Sequence, residues 1–123
     1  REVMEAKNDG FKVIIVGLYQ TLVDERGNNV PAEQVIHWTN QHSELPLFAF
    51  WDFAVGKQKA VGGVVLFGYS QGEQAAQLVN KIAGSGHSQP ILMVTGNKGK
   101  AIYSESEIAK WNIEIPSHWH SVD

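Results

Sequence analysis

Residues 68–72 read Gly-Tyr-Ser-Gln-Gly, a G-x-S-x-G pentapeptide between an apolar run and a helical pattern. In that setting a serine on a sharp strand-to-helix turn presents its hydroxyl for acyl transfer. Ser70 would then need an acid and a histidine further along, and Glu105, Glu107 or Glu114 followed by His118 or His120 supply that order. Two features weigh against catalysis. Ser104 and Glu107 form an S-x-x-E capping box, which already accounts for Glu107. No second glycine-rich loop stands upstream to form an oxyanion hole. The histidines His37, His42, His87, His118 and His120 raise metal binding, His118 and His120 above all, because alternate residues of a strand share a face. No third or fourth ligand can be placed, so no metal and no cofactor is expected, and residues 118–120 read as a solvated tail. The aromatic residues are more suggestive. Tyr19, Trp51, Phe53 and Tyr69 fall at or just after expected strand ends, where they can stack on a small organic ligand while Gln20, Thr21, Asp52, Ser70 and Gln71 hydrogen-bond its polar groups.

The elements that would position these residues follow from hydrophobic periodicity. Residues 60–84 read as strand, turn and helix without a break. Val61, Val64, Val65, Leu66 and Phe67 form an apolar run suited to a strand buried on both faces. Residues 68–72 make the turn, and Ala75, Ala76, Leu78, Val79 and Ile82 recur at helical spacing up to Gly84, expected just past the helix end. Earlier, residues 1–8 carry a helical pattern that stops at Gly10. Residues 11–17 are a second buried strand, residues 24–29 a surface turn, and residues 31–42 a helix opened by Pro31. Residues 45–51 form another strand. Only residues 52–60 then separate it from the next, less than the dozen or so that a parallel crossover needs. Either the two strands are antiparallel, or the chain leaves one sheet for another. Residues 90–94 are expected as a fourth strand, and Ser104 opens a short helix through Trp111.

Composition narrows the function classes. A chain of 123 residues with 43% hydrophobic content and 12 glycines suits one packed α/β domain. The formal net charge of −3, with 10 Lys and Arg spread along the chain, offers no footprint for nucleic acid. There is no cysteine, so disulfides and thiol catalysis are excluded. No apolar run approaches the ~18 residues of a membrane span. Any membrane attachment would come through segments outside this chain, and the start at Arg1 reads as a piece of a longer protein.

Two family resemblances can be drawn from these residues. The Gly68–Gly72 pentapeptide looks like the GYSQG of cutinase-like esterases, the alternative reading with Ser70 as nucleophile. The wider stretch resembles the C-terminal half of type I periplasmic binding proteins, of the ABC-transporter substrate-binding kind also used as sensor domains of bacterial histidine kinases and diguanylate cyclases. It does so through Val61-Gly62-Gly63, Gln71-Gly72, Ala75-Ala76 and Ile82-Ala83-Gly84, and through Asn112-Ile113-Glu114-Ile115-Pro116, where Asn112 replaces a glycine. The likeness covers residues 11–116. It implies a three-layer α/β/α lobe with a mainly parallel, Rossmann-like sheet, belonging to a larger two-lobed receptor in the periplasm. That receptor would bind a small molecule at Tyr19, Gln20, Thr21, Trp51, Asp52, Phe53, Tyr69, Ser70 and Gln71 and do no chemistry itself. In it the segment from Val61 to Ala83 would leave to complete the other lobe. With that lobe's first half absent, the apolar segment either folds back beside residues 45–51 or pairs with a second chain as a homodimer.

Overall fold

A computed structural model describes residues 1–85 and 93–123. The chain is mixed α/β: helix α1 (Glu2–Glu5), strand β1 (Ile14–Val16), helix α2 (Ala32–His42), strand β2 (Leu47–Ala49), a 3-10 turn (Asp52–Ala54), strand β3 (Gly62–Val65), helix α3 (Gly68–Ser85), strand β4 (Lys100–Tyr103), helix α4 (Glu105–Trp111) and strand β5 (His120–Ser121). The five strands make one sheet in the order β1-β2-β3-β4-β5. β1, β2 and β3 run parallel, β4 is antiparallel to β3, and β5 is parallel to β4.

Neither alternative expected for the link between β2 and β3 holds. The two strands are parallel neighbours, with Phe48 opposite Gly62 and an isolated bridge from Trp51 to Leu66. Both strands are shorter than their apolar runs, so residues 50–61 are free to make the connection. The 3-10 turn and a tight bend at Gly56 (φ 146°) and Gln58 (φ 61°) compact it. The close approach of β3 to its neighbours demands glycine. A Cβ on Gly63 would collide with the Ala49 carbonyl, and one on Gly62 would stand 2.6 Å from the Ile102 carbonyl oxygen.

One face of the sheet is packed. Ile36 of α2, fully buried, meets Leu47, Ala49, Val65 and Ile102, with Ile14, Val16, Ala32 and Val35 around them. Burying each such aliphatic side chain contributes about 1.5–3 kcal/mol. α2 and α4 are joined by polar contacts. Asn40 Nδ2 donates to Glu107 Oε2 (2.8 Å) and to the Lys59 carbonyl (2.6 Å), while Glu107 Oε1 accepts from Gln58 N (2.8 Å) and Lys110 Nζ donates to Asn40 Oδ1 (3.1 Å).

The other face is largely open. Val13, Ile15, Phe50 and Val64 are exposed on it, so β1 and β3 are not buried on both sides as expected. Trp119 lies over Gly62 on this face. Nor does α3 cover this face: none of its residues is buried, and it makes no substantial packing contact with another element. The three-layer arrangement is therefore not what the described residues form.

Local signals at the C-terminal end hold in part. Ser104 caps α4, its Oγ accepting from Glu107 N (3.3 Å). The reciprocal half of the capping box is absent, because Ser104 N already donates to the Val61 carbonyl and the Glu107 side chain is engaged by Asn40 and Gln58. Asn112 ends the helix in the left-handed region (φ 51°, ψ 49°), the conformation that suits Gly or Asn at that position. Residues 118–120 are not a free tail, since His120 enters β5. The strand expected over residues 90–94 lies mostly outside the described residues. Met93 and Val94, which are described, are exposed and in no strand.

Candidate functional site

At the carboxyl ends of β1 and β2 three rings form a row. Tyr19 and Phe53 lie 6.2 Å apart with their planes tilted by 53°, and Trp51 and Phe53 lie 6.2 Å apart and nearly parallel, at 13°. The chain builds this row from both strands. Leu18 turns out to solvent after β1, 80% exposed, which sets Tyr19 inward at 5%. After β2 the bridge to Leu66 holds Trp51 in extended backbone, and the 3-10 turn that follows aims Phe53 back at Tyr19. Tyr19 is the floor and Phe53, 46% exposed, the rim. Burial and then the negative charge of Glu33 push the Tyr19 hydroxyl above its ordinary range, so it is a neutral donor at physiological pH.

Polar groups flank the row. Asp52 is half-buried, and its backbone N–H donates to the Leu66 carbonyl (3.4 Å), leaving the carboxylate beside Trp51 and Phe53 in sequence and in the turn. Gln20 Oε1 accepts from Tyr19 N (3.0 Å), which uses its carbonyl locally and leaves its amide nitrogen as a donor. Thr21 is exposed. Flat apolar rings with a carboxylate and an amide alongside can stack on a small organic molecule and bind its polar or cationic groups.

The remaining predicted site residues, which open α3 beyond the carboxyl end of β3, make no ring contact or side-chain hydrogen bond with the row among the described residues. Residues 68–72 are not a turn before the helix but its first turn, since α3 begins at Gly68. Tyr69 is 84% exposed and joins no ring contact. Gln71 Nε2 donates to the Asn97 carbonyl (3.1 Å), and Asn97 Nδ2 donates to the Ser70 carbonyl (3.4 Å). With Gln74, which bonds Thr95 O and Asn97 N, these contacts lash residues 95–97 along the helix. Tyr69, Ser70 and Gln71 therefore do not complete the aromatic row.

Ser70 also lacks the surroundings of a nucleophile. It has ordinary helical backbone, the only non-glycine residues with positive φ among the described ones being Gln58 and Asn112, whereas a nucleophile elbow is strained. Among the described residues no histidine or carboxylate is hydrogen-bonded to its hydroxyl. Glu107 is locked to Asn40 and Gln58. For the histidines, His42 Nδ1 is 2.8 Å from the Trp38 carbonyl oxygen with its ring stacked on Trp38, and His37 sits 3.5 Å from Glu33. His87 lies outside the described residues. Among the described residues no three His, Asp or Glu side chains converge as metal ligands.

Sequence reasoning missed two clusters. The Asn40–Glu107–Lys110 network was hidden because Glu107 already had a role as a cap. The second is a carboxylate latch: Asp123 accepts from Ser104 Oγ (2.6 Å), Ser106 Oγ (2.7 Å) and Glu105 N (2.6 Å). Burial alone would raise the Asp123 carboxyl, but these hydrogen bonds outweigh it and hold it below its usual range. Ser-x-Ser ahead of an acidic helix start hints at an anion site, yet nothing in the sequence points to residue 123 as the anion.

The chain matches no family model, no curated protein and no solved structure. No described helix is long and apolar enough to cross a membrane.

Proposed function

We propose that this chain binds a small polar or aromatic organic molecule on the Tyr19–Phe53–Trp51 row, with Asp52 and Gln20 supplying polar contacts, and carries out no chemistry on it. The single observation behind this reading is the convergence of the three rings at the carboxyl ends of two adjacent parallel strands, the edge at which open α/β sheets take ligands. The resemblance of residues 11–116 to type I periplasmic binding proteins supports a wider role. In it the chain is the extracytoplasmic sensing part of a bacterial histidine kinase or diguanylate cyclase, or the capture part of an ABC importer, working in the periplasm. The isolated Ser70 favours binding over ester hydrolysis.

A thermal-shift screen of amino acids, purines and aromatic acids tests the site. A ligand at roughly 100 times its Kd stabilises the folded protein by about 2.7 kcal/mol, enough to raise Tm measurably. The expected result is at least one hit whose shift is lost in Trp51→Ala and reduced in Asp52→Asn, with Ser70→Ala unchanged. Hits that persist in Trp51→Ala would remove the aromatic row from the site.

A further inference from the structure

Among the described residues, helix α3 has no sheet packed against it and one face of the sheet has no helix. On α3, Ala75, Val79 and Ile82 recur at i, i+4 and i+7, flanked by Ala76 and Ala83, and all five are exposed. Helical spacing sends Glu73, Gln77, Asn80 and Lys81 to the opposite side, so the stripe holds no charge. On the sheet, Val13, Ile15, Phe50 and Val64 are 43–61% exposed side by side. Apolar surface of this kind is unstable in water at about 25 cal/mol per Å².

The surplus can be sized. A compact monomer of this mass exposes about 6,600 Å². This 13.6 kDa chain exposes 8905 Å². The excess, about 2,300 Å² over the whole chain, exceeds the ~800 Å² that each partner contributes to a standard interface.

The chain's own α3 is poorly placed to cover its own sheet. Its first turns are tied to residues 95–97 by Gln71, Gln74 and Asn97. We infer that two copies of this chain associate symmetrically, each laying the Ala75–Val79–Ile82 stripe of α3 across the open sheet face of the other. A two-fold arrangement supplies both missing halves at once, because each copy carries the surface that the other lacks. Dimensions agree: an 18-residue helix is about 27 Å long, and five strands span about 19 Å from first to last. The aromatic row belongs to neither surface, so the dimer stands independently of the ligand reading.

Light scattering after size-exclusion chromatography at high micromolar concentration, with charge placed on each surface, tests the arrangement. Val79→Glu alters the helix stripe and Val64→Glu the sheet, both at exposed positions, so the amides of β2 and β3 should keep native-like hydrogen-exchange protection in each monomer. The wild-type chain is expected to be a dimer. Each variant alone should dimerise about tenfold or more weakly, and an equimolar mixture should recover association, because one helix-on-sheet contact of the mixed pair is intact. The absence of cysteine permits a second readout: the double variant Ile15→Cys with Val79→Cys should form an intermolecular disulfide under mild oxidation. A wild-type chain that is monomeric with α3 still helical would overturn the proposal. So would a Val64→Glu variant that dimerises as well as wild type, since the helix would then dock somewhere other than the sheet.

Discussion

Gly63 stands where a Cβ would run into the Ala49 carbonyl, so β3 can sit beside β2 only because that atom is missing. Gly63→Ala must push two paired strands apart, and overpacking against backbone costs about 3 kcal/mol or more. Gly84, in open space on the polar side of α3, should behave in the opposite way, Gly84→Ala gaining roughly 0.5 kcal/mol of helix propensity. Urea unfolding of the two variants separates them by sign. At Asp123 the relevant quantity is protonation. Its carboxyl is depressed by hydrogen bonds from Ser104, Ser106 and the Glu105 backbone, which together outweigh the opposing effect of burial. Its stabilising contribution is thus complete above the ordinary carboxylate range and is lost as pH falls through the lowered folded value. Asp123→Asn should be less stable than wild type at pH 7, by about 1 kcal/mol once solvent screening is allowed for. The two proteins should converge once the pH has fallen below the lowered folded value of this carboxyl. A difference that stays constant on acidification would show that the carboxylate charge is not what the latch uses.

Among the elements, α2 and α4 depend on one buried carboxylate. Glu107 is 4% exposed and satisfies Asn40 and the Gln58 backbone, which bends at positive φ. Glu107→Ala leaves a buried amide and a backbone N–H without their acceptor and should destabilise by about 2–4 kcal/mol, whereas Glu107→Gln, which keeps one acceptor oxygen, should lose less. Chemical denaturation of the pair decides whether the network or the side-chain volume matters. Much at this scale was legible in the sequence. The apolar runs at residues 11–17, 45–51 and 61–67 each contain a strand, three or four residues long. Pro31, Ser104 and Asn112 marked helix ends by their backbone preferences and hydrogen-bonding groups. What failed depended on other parts of the chain. β5 is a His-Ser pair with no periodicity of its own, ordered by pairing with Ile102 and Tyr103. The first turn of α3 looked like a loop because glycine suits both. In the site, Tyr19, Trp51 and Phe53 were legible as residues at strand ends. That Tyr69, Ser70 and Gln71 stand apart from them was not, because the direction of a helix leaving a sheet is set by what it packs against.

The whole molecule is defined by that unpacked helix. A helix with no buried residue keeps its form through its own hydrogen bonds and the few that tie it to residues 95–97, without the packing that supplies most helical stability in proteins. In a single chain α3 should therefore fray while the sheet and α2 persist. Association changes this, because a partner that binds the folded form adds stability by mass action, and the apparent Tm of a dimer then depends on protein concentration. Thermal unfolding of the wild-type chain across a hundredfold range of concentration should show Tm rising steadily, while Val79→Glu should show a lower Tm whose rise is displaced to about tenfold or more higher concentration. Hydrogen exchange locates the effect: amides of α3 should gain protection as concentration rises, and those of β2 and β3, already in the core, should change little. If α3 is well protected at every concentration, its stability is intrinsic to the single chain, and the surplus surface must be covered without a second copy.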